Sequence, residues 1–233
     1  MIRFKNVTFS YEKDEHVFDS INLELSPGLT LLLGPNGCGK STLLKLGSGV
    51  EKPDSGHITI NGHDLWKEEV AARNTIAYLP EQPDLTPYAT LREILNLVCR
   101  LRGEPLEKGK EALRFFDLNK VAGRTVRELS LGQRRRAVFA GCLIGNPKHI
   151  LLDEPLEGMD RSIQKEILEW IFRHTRDGAV VTVVSHSFEK FIELASHATT
   201  VKNGDVILFK KLPDKPKEKL SLLEGLSKGR VQS

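Results

Sequence analysis

The sequence predicts an α/β protein in which a mostly parallel sheet is wound with helices on both faces, preceded by an antiparallel β portion and interrupted by a helical insert. Three observations carry that expectation. Apolar, β-branched runs at residues 29–33, 149–152 and 180–184 are separated by helix-period segments, as buried parallel strands and their covering helices require. Ahead of the first run, residues 2–7 and 21–25 alternate apolar with polar side chains, the period of half-exposed strands. Between Pro83 and Pro147 the apolar spacing changes to three or four residues, which marks amphipathic helices.

Each element follows in order. After the buried run 29–33 comes a glycine-rich loop and then a helical stretch, 41–46. Residues 57–60 read as a strand closed by Asn61-Gly62, a hairpin turn pair, and 75–79 as another strand. Leu91, Ile94, Leu95, Val98 and Leu101, then Leu113, Phe116 and Leu118, then Ala137, Val138, Ala140, Leu143 and Ile144 form helical stripes, giving an insert over about residues 84–146. A helix over 163–173 joins the last two parallel strands, and residues 200–202 and 206–209 close as a hairpin through Asn203-Gly204. Beyond it, Pro213, Pro216 and the lysines predict a loose solvated linker, with Leu220, Leu222, Leu223 and Leu226 in a short helix. The division is therefore a body, 1–209, and a basic C-terminal tail, 210–233.

The chain has 233 residues and a net charge of +3. Seven Lys/Arg against three Asp/Glu lie in the tail, whereas the body holds 27 basic and 28 acidic side chains. A near-neutral body gives no case for nucleic-acid binding, and the tail can either solvate the end or lie on an anionic membrane surface. Cys38, Cys99 and Cys142 lack disulfide or metal spacing, and neither a signal-peptide core nor a run of about 20 apolar residues is present. A reduced, cytosolic, non-spanning protein is expected.

Gly34-Pro35-Asn36-Gly37-Cys38-Gly39-Lys40-Ser41 reads G-x-x-x-x-G-K-[ST] between a predicted buried strand and a predicted helix. In such a loop the backbone amides converge on a triphosphate, Lys40 neutralises the β/γ oxygens and Ser41 can ligate Mg²⁺. Thr42, next along the same helix, is expected to belong to the same phosphate-binding set. Cys38, beside Lys40, is expected to favour the thiolate. Downstream, the strand 149–152 ends in Asp153-Glu154. With the phosphate loop upstream, Asp153 is expected beside Mg²⁺, and Glu154 can polarise an attacking water as general base. Leu129-Ser130-Leu131-Gly132-Gln133 opens a helix whose free N-terminus is a second anion surface. Arg134, Arg135 and Arg136 follow; successive helical side chains differ by about 100°, so at least one is expected to face phosphate or acidic partners.

These motifs, in this order, resemble the ATP-binding subunit of the ABC transporter family over residues 1–209. The resemblance implies a P-loop NTPase with a RecA-like core and a head-to-tail dimer, homo- or heteromeric, in which Ser130, Leu131, Gly132 and Gln133 close over ATP held by the other subunit. Leu131 departs from the family's glycine. By the same resemblance Tyr11 stacks on adenine, Gln82 reaches Mg²⁺ and the attacking water, Asp160 lies in the loop across which subunits sense one another, and His186 contacts the γ-phosphate. ATP and Mg²⁺ are the implied cofactors, and a separate transmembrane permease is the implied partner. The implied location is cytoplasmic, peripheral on the inner face of the cell membrane. The Leu-Ser-Leu-Gly-Gln and Leu-Glu-Gly-Met-Asp spellings, and the lack of a long domain after Phe209, favour export. The alternative is the same engine in a soluble machine such as iron–sulfur cluster assembly.

Overall fold

A computed structural model describes residues 1–13, 15–82, 85–209 and 211–230. Pro83, the insert's expected start at Asp84, Lys210 and the last three residues lie outside the described ones. Strands β1 (Ile2–Glu12), β2 (Glu15–Leu25), β4 (Ser55–Ile60) and β5 (His63–Asp64) form an antiparallel sheet in the order β2-β1-β4-β5. Strands β3 (Gly28–Leu33), β6 (Ile76–Leu79), β7 (His149–Asp153), β8 (Val180–Val184), β9 (Ala195–Lys202) and β10 (Asp205–Phe209) form a second sheet, β10-β9-β3-β8-β7-β6. All its pairings are parallel except the closing β9-β10 hairpin.

Because successive strand residues point to opposite faces, this sheet carries two cores. Leu32, Leu151, Val184 and Val201 pack with α1 (Lys40–Ser48) and with Phe4, Phe18 and Ile58 of the antiparallel sheet. The alternate residues, Leu29, Leu31, Ile150, Leu152 and Val183, pack under the helices. Those are α3 (Leu91–Leu101), α4 (Leu106–Phe115) and α5 (Leu131–Leu143) of the insert, and α6 (Arg161–Arg176). Thr90 caps α3 with a reciprocal Glu93 bond, Ser130 and Gln133 do the same for α5, and Asp160 caps α6 through the Ile163 amide. Phe139 of α5 meets Trp170 of α6 edge-on at 5.8 Å, which joins the insert to the body. The five-residue α2 (Glu69–Arg73) has no counterpart in the sequence reading: it is barely a turn long and buries only Ala72.

The tail differs from expectation. Pro216 begins α7 (Pro216–Ser227), whose Leu223 and Leu226 are 0% exposed and belong to the helix-covered core. The Lys219 ammonium donates to the Ala195 carbonyl and the Thr200 hydroxyl to that of Leu226. Pro213 and Pro216 therefore direct this segment back onto the sheet, because apolar burial outweighs the solvation of the surrounding lysines.

His149, at the start of β7, is 1% exposed, with Thr75 Oγ1 and the Met1 amine each 3.0 Å from its ring nitrogens. Burial, reinforced by the facing amine, pushes its pKa down from 6.5 to about 4. The folded state therefore binds the proton more weakly than the unfolded state. The contribution of neutral His149 is complete above the unfolded value and is lost as pH falls toward the folded one. Wild type is expected to lose about 2 kcal/mol more stability than His149→Gln between about pH 7 and pH 5. Urea unfolding at the two pH values measures this, and equal losses would rule out His149 as the titrating group.

Candidate functional site: a phosphate loop facing two acids

The end of β3 turns at Gly34 into the loop that opens α1. Gly34 has φ +140, and a Cβ there would lie 2.8 Å from Cys38 Sγ and 3.2 Å from the Val201 carbonyl oxygen, so the turn admits no side chain. Gly39 occupies the helix N-cap at φ 107 without a side-chain cap, which leaves the first amides of α1 available to an anion. Lys40 Nζ donates to the carbonyls of Gly34 at 2.9 Å and Pro35 at 2.8 Å, so the cation lies over the loop. Parallel pairing of β7 with β8 ends at Asp153 and Val184 and carries the two acids to the same end of the sheet.

An open cleft of about 410 Å³ results, lined by Tyr11, Asn36, Gly37, Gly39, Lys40, Ser41, Thr42, Asp153, Glu154 and His186. Gly34 and Pro35 line an adjoining hollow of about 290 Å³ that shares Asn36, Lys40 and His186 with it. Asp153 is 1% exposed and lies against the Ser41 hydroxyl, and burial raises its pKa. Its Oδ2 is buried and has no hydrogen-bond partner. A buried, unpartnered carboxylate oxygen beside a hydroxyl fits a hard divalent cation, which takes one or two protein oxygens and completes its shell with phosphate and water.

Glu154 sits at φ +50, in the left-handed region, with its amide donating to the Val184 carbonyl. Such a conformation persists only where the surroundings over-determine it. Its carboxylate accepts from the His186 amide at 2.7 Å and from the Ser185 hydroxyl at 3.2 Å, and burial is the largest cause raising its pKa. The His186 ring is exposed, with Nε2 3.9 Å from the same carboxylate. Tyr11 is mostly exposed; its ring packs edge-on to Phe9 and under Lys45, and its hydroxyl is 3.3 Å from that of Thr42.

Three expectations change. Glu81, not Gln82, lines the cleft: the Arg135 guanidinium holds the Glu81 carbonyl, and Gln82 is exposed one residue further on. Burial raises the Cys38 pKa and outweighs the lowering by Lys40, so the thiolate is disfavoured. Cys38 lines a hollow on the Tyr11 side of the loop instead of the cleft. Of the three arginines after Gln133, of which at least one was expected to face phosphate or acidic partners, Arg135 is 8% exposed within its own chain. Ser130, Leu131, Gly132 and Gln133 lie outside the cleft, with Ser130 and Leu131 exposed and the Ser130 and Gln133 side chains spent on the helix cap. Asp160 likewise caps its helix, with burial-independent hydrogen bonds from Ser162 and Ile163 lowering its pKa. Ser185 and Glu81 were missed. Ser185 follows directly on an apolar strand, a position that could have flagged it; nothing in the spacing singles out Glu81.

The sequence profile of the ABC transporter family matches residues 18–157. The chain is 33% identical to a sulfate/thiosulfate import ATP-binding protein of Pseudomonas aeruginosa over 87% of its length, and 36% identical to a probable sulfate/thiosulfate import ATP-binding protein of Chlorella vulgaris over 81%. It is 33% identical to a spermidine/putrescine import ATP-binding protein of Nitratidesulfovibrio vulgaris over 88% of its length. It spans 64% of the Pseudomonas protein, 82% of the Chlorella one and 57% of the Nitratidesulfovibrio one. Among solved structures, a dimeric post-hydrolysis ATP-binding cassette bound to ADP and Pi superimposes with a TM-score of 0.80 at 25% identity, covering 92% of this chain and 100% of that one.

Proposed function

This chain belongs to the ABC transporter family, and from that membership we propose that it is the ATP-hydrolysing subunit driving transport through a separate transmembrane permease. The observation that carries the reading is the single cleft that joins Lys40 and the open amides of α1 to the buried acids Asp153 and Glu154. Lys40 and the loop amides hold the triphosphate, and Tyr11 offers its ring to the adenine. Ser41 and Asp153 would hold Mg²⁺, which neutralises charge on the phosphates. Glu154, its carboxylate oriented by the His186 amide and the Ser185 hydroxyl, accepts the proton of the attacking water. His186 stands at the cleft wall for the γ-phosphate. Ser130–Gln133 serve the ATP of a second ATP-binding subunit, which accords with their lying outside this chain's own cleft. Gln82 acts only after its loop turns toward the cleft.

The expected export direction draws no support: the three relatives named above are import proteins. We therefore propose uptake. Those relatives name sulfate/thiosulfate in two cases and spermidine/putrescine in the third, anions and cations on ATP-binding chains that are each 33–36% identical to this one, so cargo chemistry resides in the permease. Among the described residues no helix is long and apolar enough to cross a membrane, which fits a peripheral subunit. The deciding experiment is affinity recovery of the full chain from detergent-solubilised native membranes, followed by reconstitution of the complex in vesicles. An integral membrane partner and ATP-dependent movement of solute toward the compartment holding ATP are expected. Recovery of a soluble partner alone would favour the iron–sulfur alternative, and movement in the opposite sense would restore export.

A further inference from the structure

Three arginines follow Gln133 on α5, and they are held differently. Arg134 donates to the carbonyls of Leu129 and Arg127, and Arg136 to that of Phe116, all within the insert. Arg135 leaves the insert. Its Nη1 donates to the Glu81 carbonyl at 2.9 Å, and its Nη2 donates to the carbonyls of Asp153, at 3.4 Å, and of Glu154. Its Nη1 is also 3.3 Å from a carboxylate oxygen of Glu157, whose side chain is 63% exposed.

Burying a guanidinium costs several kcal/mol unless its donors are filled, and an ion pair to a solvent-exposed glutamate returns little of that. Both Nη groups are instead bonded to carbonyls from two separate segments, the turn after β6 and the turn after β7, while the buried Nε has no partner. A planar fork with divergent donors can tie two such segments at a defined distance and angle, which a flexible ammonium cannot. One of those carbonyls belongs to Glu154, the residue whose backbone sits at φ +50. That residue is thus held by the Val184 carbonyl through its amide, by His186 and Ser185 through its carboxylate, and by Arg135 through its own carbonyl. Arg135 is five residues beyond Ser130, about 7.5 Å along the same helix.

We infer that Arg135 is a positioning residue that ties the orientation of Glu154, and of the turn after β6, to the position of the helix bearing Ser130–Gln133. The inference rests on the reading of Glu154 as general base. When α5 shifts relative to the sheet, the guanidinium carries the Glu81 and Glu154 carbonyls with it, so the carboxylate aligns with water in only one position of the insert.

The test is steady-state ATP hydrolysis and equilibrium binding of a fluorescent ATP analogue by the full chain, wild type, Arg135→Gln and Arg135→Lys. Arg135→Gln is expected to lower kcat by about tenfold or more, as small misalignments of a reacting group do, while the nucleotide Kd moves by less than about threefold. Arg135→Lys keeps the charge but cannot span both segments, so it is expected to restore little. Wild-type kcat in either variant overturns the inference. If neither variant folds, hydrogen exchange of the unmodified chain with and without Mg-ATP decides: protection changing together at 79–82, 131–137 and 154–158 supports it, and a response confined to 34–42 overturns it. A wild-type chain without ATP turnover would instead sink the function itself, whereas loss of turnover in Glu154→Gln with normal turnover in Arg135→Gln would sink this inference alone.

Discussion

Glu154→Gln is expected to lower ATP turnover by about 10²–10⁴-fold, the usual contribution of a positioned general base, while leaving nucleotide affinity within about threefold. The substitution keeps the shape and one carbonyl oxygen of the side chain, so the 2.7 Å bond from the His186 amide survives, and the Ser185 hydroxyl can reverse its role toward the new amide. What disappears is the capacity to take a proton. Lys40 and the open amides at the N-terminus of α1, which line the cleft, are untouched. Single-turnover hydrolysis and equilibrium binding, measured side by side, separate the two effects. Turnover within about threefold of wild type would remove Glu154 from the chemistry and leave the acid pair as a structural turn.

Leu226→Ala is expected to destabilise the fold by about 2–5 kcal/mol, the range for truncating a buried leucine where the cavity cannot collapse. Leu226 is 0% exposed in the same core as Leu31 and Val183. Its carbonyl accepts from Thr200, and two residues after α7 ends, Gly229 packs against Pro35 of the phosphate loop. The tail therefore buttresses the back of the loop, and urea unfolding measures the loss. A change below about 0.5 kcal/mol, typical of surface positions, would return the tail to the solvated linker that its lysines and prolines suggested.

The contrast between these two predictions shows where sequence reasoning was strong. Gly34 to Ser41 could be read directly because a left-handed turn, an uncapped helix start and a lysine one residue later are all specified within eight residues. Asp153 and Glu154 were legible because a fully apolar strand ending in two acids leaves few places for those acids except the strand tip. The start of α5 was read as a free helix N-terminus, whereas in the structure Ser130 and Gln133 close a reciprocal cap there.

Arg135 was not legible, since three successive helical side chains differ by about 100° each and nothing local decides which one turns inward. The pairing of Arg135 with Glu81 spans 54 positions and that with Glu154 spans 19. Cys38 was misread for a related reason: the charge of Lys40 is visible in the sequence, whereas the burial that overrides it is not. That Glu81 and not Gln82 lines the cleft was hidden likewise, since its turn is held by a guanidinium from another element.

By itself, then, the sequence determined the alternation of strands and helices, the phosphate loop, the acid-bearing strand tip and membership of the ABC transporter family, since each is encoded in short-range spacing. Only the tertiary structure decided that the basic tail folds back beneath the sheet, that one arginine of three bonds the turns carrying Glu81 and Glu154 and that Glu154 is held from three sides. Those outcomes depend on which distant surfaces are buried together, and desolvation there outweighs the local charge and propensity that a sequence displays.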